Sequence, residues 1–254
     1  STIGEILKFD LKQIDSGITV RQLLNHTSGI PDYFDESVMD NYEELWINTP
    51  NYRIRKSSDL IPLFIDKPMM YPKGERFQYN NTGYVVLGLI IEEITGKPFD
   101  VYLQETIFNS CKMTDTGYFE LDRLPAKCAF SYIYDKEKDD YRTNIFSIDA
   151  KGSGAGGAFT TALDVEKFWM ALLSDKLINK ESLKMMFSPQ VSEGCYGYGV
   201  WLLNGKIPSF QGCDPGVNFI TSCDLDKLVM ITILCNVDCD VETLHNKIYG
   251  MIVS

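Results

Sequence analysis

The segment Leu228-Val229-Met230-Ile231-Thr232-Ile233-Leu234 is apolar at six of its seven positions. A run this short, with no polar alternation, fits a strand covered on both faces rather than one with a wet side. It predicts a central sheet strand. Upstream, Tyr196 to Leu203 and Val217 to Ser222 also read as strands, separated by Gly, Pro and Asp turns. Downstream, a stretch with helical spacing begins near Val241 and would lie across the sheet. The chain therefore ends as a strand meander closed by a helix.

The middle follows a different period. Val20 to Leu24 reads as a short helix stopped by the turn residues of Asn25-His26-Thr27-Ser28-Gly29-Ile30-Pro31. Residues 32–70 interleave aromatic and charged side chains and suggest short helices. From Gly83, Val85, Val86, Leu89, Ile90 and Ile94 recur at helical spacing until Gly96 and Pro98 end the run. A further helix is expected from Phe99 to Phe108, then loop and strand over 117–149. Thr161 with Asp164 resembles a capping box for a helix whose apolar face is Val165, Phe168, Trp169 and Leu172. Another helix should cover Lys180 to Phe187 and end before Pro189. This is an α+β layout. It is expected as one domain over 1–254, with a mainly helical region at 18–190 and the sheet strands plus closing helix at 191–254.

Composition removes several functions. A net charge of −11 does not suit a nucleic-acid partner, which needs clustered Lys and Arg. The longest apolar run, Tyr84 to Ile91, is broken by Gly88 and falls short of the roughly 18 residues of a membrane span. The seven cysteines are irregularly spaced with no CxxC. Cys235 and Cys239 lie four apart, but no second pair and no nearby His completes a metal site. Reduced, mostly buried thiols are expected, which favours a cytoplasmic compartment. Gly152-Ser153-Gly154-Ala155-Gly156-Gly157 matches GxGxxG, yet no clean strand precedes it and no acidic residue closes a second strand. It reads as a flexible loop, and no cofactor is expected. With two histidines, His26 and His245, a poly-His metal centre is excluded, and both read as structural. Ser28, Ser153 and Ser222 show no recognisable base in the sequence.

Tyr79-Asn80-Asn81 places a phenol and a carboxamide between a turn and a helix. Around it run Ile18-Thr19-Val20-Arg21-Gln22-Leu23-Leu24-Asn25-His26-Thr27-Ser28-Gly29-Ile30, then Phe77 to Tyr84 with Leu87 to Glu92, then Thr95-Gly96-Lys97-Pro98-Phe99 with Ile107, Phe108 and Met113, then Ala155 to Asp164, and finally Leu228 to Asn236. In this order they resemble the serine β-lactamase, DD-peptidase and esterase superfamily, in its class-C-like branch. The resemblance covers essentially the whole chain. It implies the β-lactamase/transpeptidase-like fold, an antiparallel sheet flanked by helices beside a mostly helical region, with the active site between two lobes.

The family's Tyr-x-Asn motif falls on Tyr79 and Asn81. The resemblance implies that Tyr79 takes the proton from the serine nucleophile, and that Asn81 holds the substrate's acyl amide and helps fix a lysine. A phenol titrates near 10, so neighbouring lysine charge must lower that value for it to act as base. The third motif, Lys/His-x-Gly, counted back from Pro215-Gly216, falls on Phe210-Gln211-Gly212. Phe210 therefore replaces the substrate-binding cation, Gly212 permits close approach, and the backbone N–H of Cys213 would form half of an oxyanion hole. No Ser in the chain has a Lys three residues on, so the Ser-x-x-Lys motif is missing, and an N-terminally incomplete chain is expected. The implied function is a serine hydrolase working through an acyl-enzyme on an ester, amide or β-lactam, inactive as this fragment. The alternative is a non-catalytic relative that binds a peptide or cell-wall fragment. Either way the partner is a small molecule or peptide.

Overall fold

The computed structural model describes residues 1–253, which form two compact units. The first comprises 1–107, 117–123 and 149–158. It holds helices α1 (Ile3–Ile6), α2 (Val20–Leu24), α3 (Asn81–Thr95) and α4 (Phe99–Leu103), with 3₁₀ turns at Tyr42–Trp46, Asn51–Arg53 and Ser57–Leu63. Thr19 caps α2 through its hydroxyl, and Gln22 reaches back to the Thr19 N–H at 2.9 Å. Asn80 caps α3, and Gly96 ends it in the left-handed region at φ 66°. The apolar face of α3, Val85, Val86, Leu89 and Ile90, is buried in a core with Ile18, Leu23, Ile30, Leu60 and Phe64.

The Gly-rich segment is not a flexible loop but part of this packing. A Cβ on Gly154 would lie 2.3 Å from the carbonyl oxygen of Tyr84. Only glycine lets the loop sit on α3. Ser153 is buried, and its N–H donates to the Gly156 carbonyl at 2.9 Å.

The second unit comprises 108–116, 124–148 and the chain from 159 onward. It holds α5 (Asn109–Cys111), the hairpin β1 (Tyr132–Asp135) and β2 (Asp140–Thr143), α6 (Ala162–Leu173), α7 (Lys180–Met186), β3 (Trp201–Leu203), β4 (Ile207–Asp214), β5 (Val217–Asp224), β6 (Val229–Cys235) and α8 (Val241–Val253). The last four strands form one antiparallel sheet in the order β3-β4-β5-β6. Its two faces follow from strand alternation. On one face Thr221 accepts the indole N–H of the buried Trp169 at 2.8 Å and meets Thr232 at 2.7 Å. Cys223, Phe210 and Met230 pack with α6 on that side. On the other face Ser222 and Asp224 bond to His245 and Tyr249 of α8. Thr221→Val should cost about 1–3 kcal/mol, because a buried indole N–H loses its acceptor. Chemical denaturation measures this, and an unchanged midpoint would show the bond to be dispensable.

Four expectations need correction. The 228–234 run has helices against both faces, but β6 is an edge strand that pairs only with β5 among the described residues. The Tyr196–Leu203 strand shrinks to β3, because Gly197 N–H turns back onto the Val200 carbonyl at 2.8 Å. At α6 the Thr161 hydroxyl accepts the Asp164 N–H, but the Asp164 carboxylate does not complete a capping box. It takes the Asp115 N–H, the Thr116 hydroxyl and Lys167. Of the seven cysteines only Cys111 and Cys223 are buried, and none is in a disulfide.

Candidate active site

Tyr79 lies just before α3 and is half-buried. Its position is set by His26, which is buried and adopts φ 57°. The His26 backbone carbonyl accepts the Gln78 N–H at 3.0 Å, and its Nδ1 accepts the Asn80 N–H at 3.1 Å. The two bonds lay residues 78–80 along the histidine. The imidazole ring centroid is 4.4 Å from that of Tyr79 and 5.0 Å from that of Tyr84. Burial depresses the His26 pKa to about 3. The ring is therefore neutral, and with Nδ1 accepting, its proton belongs on Nε2. His26 is a support for the phenol and not itself a base.

Asn81 opens α3. Its side-chain Nδ2 donates to the Phe34 carbonyl at 3.1 Å and lies 3.5 Å from Asp32 Oδ2. No described residue donates a hydrogen bond to its Oδ1, which leaves an acceptor for a ligand N–H. Asp32 is buried and binds the helix start, accepting from the Asn81 N–H at 2.8 Å, the Thr82 N–H at 3.0 Å and the Thr82 hydroxyl at 3.1 Å. Burial pushes the Asp32 carboxyl up to about 6, against the pull of those bonds.

Asn80, between the two candidates, points inward. Its Oδ1 accepts the Gly83 N–H at 2.8 Å and its Nδ2 donates to the Ile30 carbonyl at 2.7 Å. Asn80→Ala should destabilise the protein by about 2–4 kcal/mol, combining a lost helix cap with an unsatisfied buried carbonyl. Thermal unfolding checks this, and a change under about 0.5 kcal/mol, the size of an ordinary surface substitution, would contradict it. Sequence reasoning missed Asp32 and the support given by His26. Their signal was the polar side chains of His26, Thr27, Ser28 and Asp32 on either side of the buried Ile30.

The other candidates lie on β4. Phe210 turns its ring into the apolar cluster under the sheet, 4.9 Å from the Trp169 ring centroid and 5.7 Å from that of Phe168. Gly212 and Cys213 are exposed. A Cβ on Gly212 would lie 2.9 Å from the Phe219 ring. Strand β3 pairs only with Ile207, Pro208 and Ser209, so the stretch from Phe210 to Asp214 has no strand on that side among the described residues.

Ser222 proves to have a partner that its sequence did not reveal. Its Oγ is 2.7 Å from His245 Nε2, and His245 Nδ1 is 3.4 Å from Asn246 Oδ1. That is nucleophile-to-base distance. Yet Ser222 and His245 are 1% and 2% exposed under α8, out of reach of substrate. The bond satisfies a buried imidazole. Among the described residues no group of three or more His, Cys, Asp or Glu could hold a metal ion, and no helix is long and apolar enough to cross a membrane.

The fold agrees with the comparisons. The chain belongs to the beta-lactamase family, whose model matches residues 4–238. It is similar to a penicillin-binding protein from Bacillus halodurans, with 34% identity and a TM-score of 0.92, over 99% of this chain and 78% of that one. Penicillin-binding protein 4* of Bacillus subtilis is 28% identical over 249 residues, 89% of this chain and 53% of the relative. The chain thus spans about half the length of the curated relatives it matches. D-amino acid amidase from Ochrobactrum anthropi, at 23% identity and a TM-score of 0.68 over 87% of this chain and 64% of that one, shares the fold.

Proposed function

We propose that this chain carries the base and the oxyanion strand of a serine hydrolase that works through an acyl-enzyme on an ester, amide or β-lactam bond. In this reading the nucleophilic serine and its lysine come from outside the 254 residues given. Tyr79 accepts the serine proton and returns it to the leaving group. Asn81 Oδ1 accepts an N–H from the substrate or from that lysine, and the Cys213 N–H stabilises the developing oxyanion. The observation that carries the reading is the support of the Tyr79 ring by a neutral His26, next to an Asn81 whose amide nitrogen is already committed to Phe34. The penicillin-binding and amidase names of the relatives support the substrate class.

Phe210 favours a second reading, a non-catalytic relative that binds a peptide or cell-wall fragment. Its ring is engaged with Trp169, so this position offers no cation for a substrate carboxylate. Mass spectrometry of the complete protein after exposure to penicillin or a fluorophosphonate separates the two. A covalent adduct on serine supports the hydrolase. Neither adduct nor turnover of a chromogenic ester would leave the binding protein.

A further inference from the structure

Two cysteines that the hydrolase reading does not use stand together at the end of the sheet. Cys235 is the last residue of β6, and Cys239 lies two residues before α8. Their sulfurs are 3.0 Å apart and both side chains are half-buried, within reach of small oxidants. That separation is only about 1 Å longer than a disulfide bond.

The intervening segment is held on every side. The Asn236 carbonyl accepts the Tyr132 N–H at 2.9 Å, and its side chain donates to the Phe130 carbonyl at 2.9 Å. Asp238 Oδ1 accepts the Gly216 N–H at 2.9 Å, and Asn218 Oδ1 accepts the Cys239 N–H at 3.1 Å. The sulfurs are therefore brought together by the fold and not by chance rotation of free side chains. Asn218 is opposite Cys235 on one side and Cys213 on the other. The pair thus sits about 10 Å, two strand spacings, from the Cys213 backbone.

We propose that Cys235 and Cys239 form a redox-active dithiol, closed to an intramolecular disulfide by hydrogen peroxide. The Cys239 sulfur attacks the peroxide, the O–O bond breaks, and a sulfenic acid and one water result. The Cys235 sulfur then attacks that sulfenic sulfur, the S–O bond breaks, and a second water leaves. Two thiols and one peroxide give one disulfide and two waters. The hydrogen bond to Cys239 pushes the Cys235 thiol up to about 11, which makes Cys235 the less reactive of the two toward peroxide. Asn218, which accepts the Cys239 N–H, pairs across the sheet with Cys213. The site stands independently of the hydrolase reading.

The test is alkylation and peptide mapping of the folded chain after brief treatment with equimolar peroxide. The tryptic peptide 228–247 should lose both labels and two hydrogens of mass, and the thiol count should fall from seven to 7 − 2 = 5. Dithiothreitol should restore both. Cys239→Ser should abolish the loss of paired labels, and unfolding in guanidinium before oxidation should slow closure at least tenfold. Peptide 228–247 labelled at both cysteines after oxidation would overturn the proposal, as would closure of Cys235 onto Cys213 or equal rates in folded and unfolded chains.

Discussion

In the complete protein, Tyr79→Phe is expected to slow acylation by penicillin or a fluorophosphonate by about 10²–10⁴-fold, the usual loss when a general base is removed. The substitution deletes one hydroxyl and keeps the ring that lies against His26. Unfolding should then shift by no more than about 1 kcal/mol, because neither packing nor backbone bonding changes. Stopped-flow or quenched mass-spectrometric measurement of adduct growth reads the rate, and calorimetry reads the stability. An unchanged acylation rate in a folded Tyr79→Phe protein would remove the phenol from the chemistry. A loss of folding in step with the rate would make Tyr79 a packing residue.

The second large effect is on stability against acid. His26 titrates near 3 in the folded protein and near 6.5 when unfolded. Below pH 6.5 the unfolded chain takes up a proton that the folded one refuses, so stability falls by about 1.4 kcal/mol per pH unit down to about pH 3. Asp32 works the other way. Its carboxyl titrates at about 6 when folded and near 3.9 when unfolded, so the folded state gains stability as pH drops from 6 to 4. Across that window the two nearly cancel, since each contributes a slope of about 1.4 kcal/mol per unit. Asp32→Asn removes the opposing slope. Its stability should fall by about 3 kcal/mol more than that of the wild type between pH 6 and pH 4. Urea midpoints at four pH values measure this, and the slope is the readout because the substitution also costs stability at every pH. Parallel curves for the two proteins would show that Asp32 does not titrate in this range.

Helix positions were legible wherever a cap and a period coincided. Thr19, Asn80, Thr161 and Asn179 each cap the helix that follows, and Gly96 ends α3 where the sequence placed the stop. The sheet was less legible. The 228–234 run reports that both faces are covered, but it carries no information on lateral neighbours, which depend on hydrogen bonds and not on side-chain polarity. That is why an edge strand looked central. The Gly-rich loop looked flexible because composition cannot separate a glycine that frees the chain from one that lets two backbones touch, as Gly154 does with Tyr84.

The site divides the same way. Tyr79 and Asn81 are assigned to the site from a motif, but the residues that hold them, His26 and Asp32, lie 53 and 49 residues earlier, as the numbers 79 − 26 and 81 − 32 give. Only folding brings them into contact. The pairing of Ser222 with His245 was hidden for that reason as well, since 23 residues separate them. Its burial also shows why a serine–histidine distance alone does not define a reactive site.

The flank of β6 that no described strand covers has a practical consequence for the 254-residue chain. Its backbone groups on that side are a template on which a second extended chain could add, and Leu234 and Leu228 beside it offer apolar surface to the newcomer. An overall charge of −11 sets a mutual repulsion between copies of this polypeptide. Such repulsion reaches about 30 Å in dilute buffer and about 3 Å in molar salt. Concentrated salt is therefore expected to weaken the barrier to edge-to-edge pairing of the 254-residue chain.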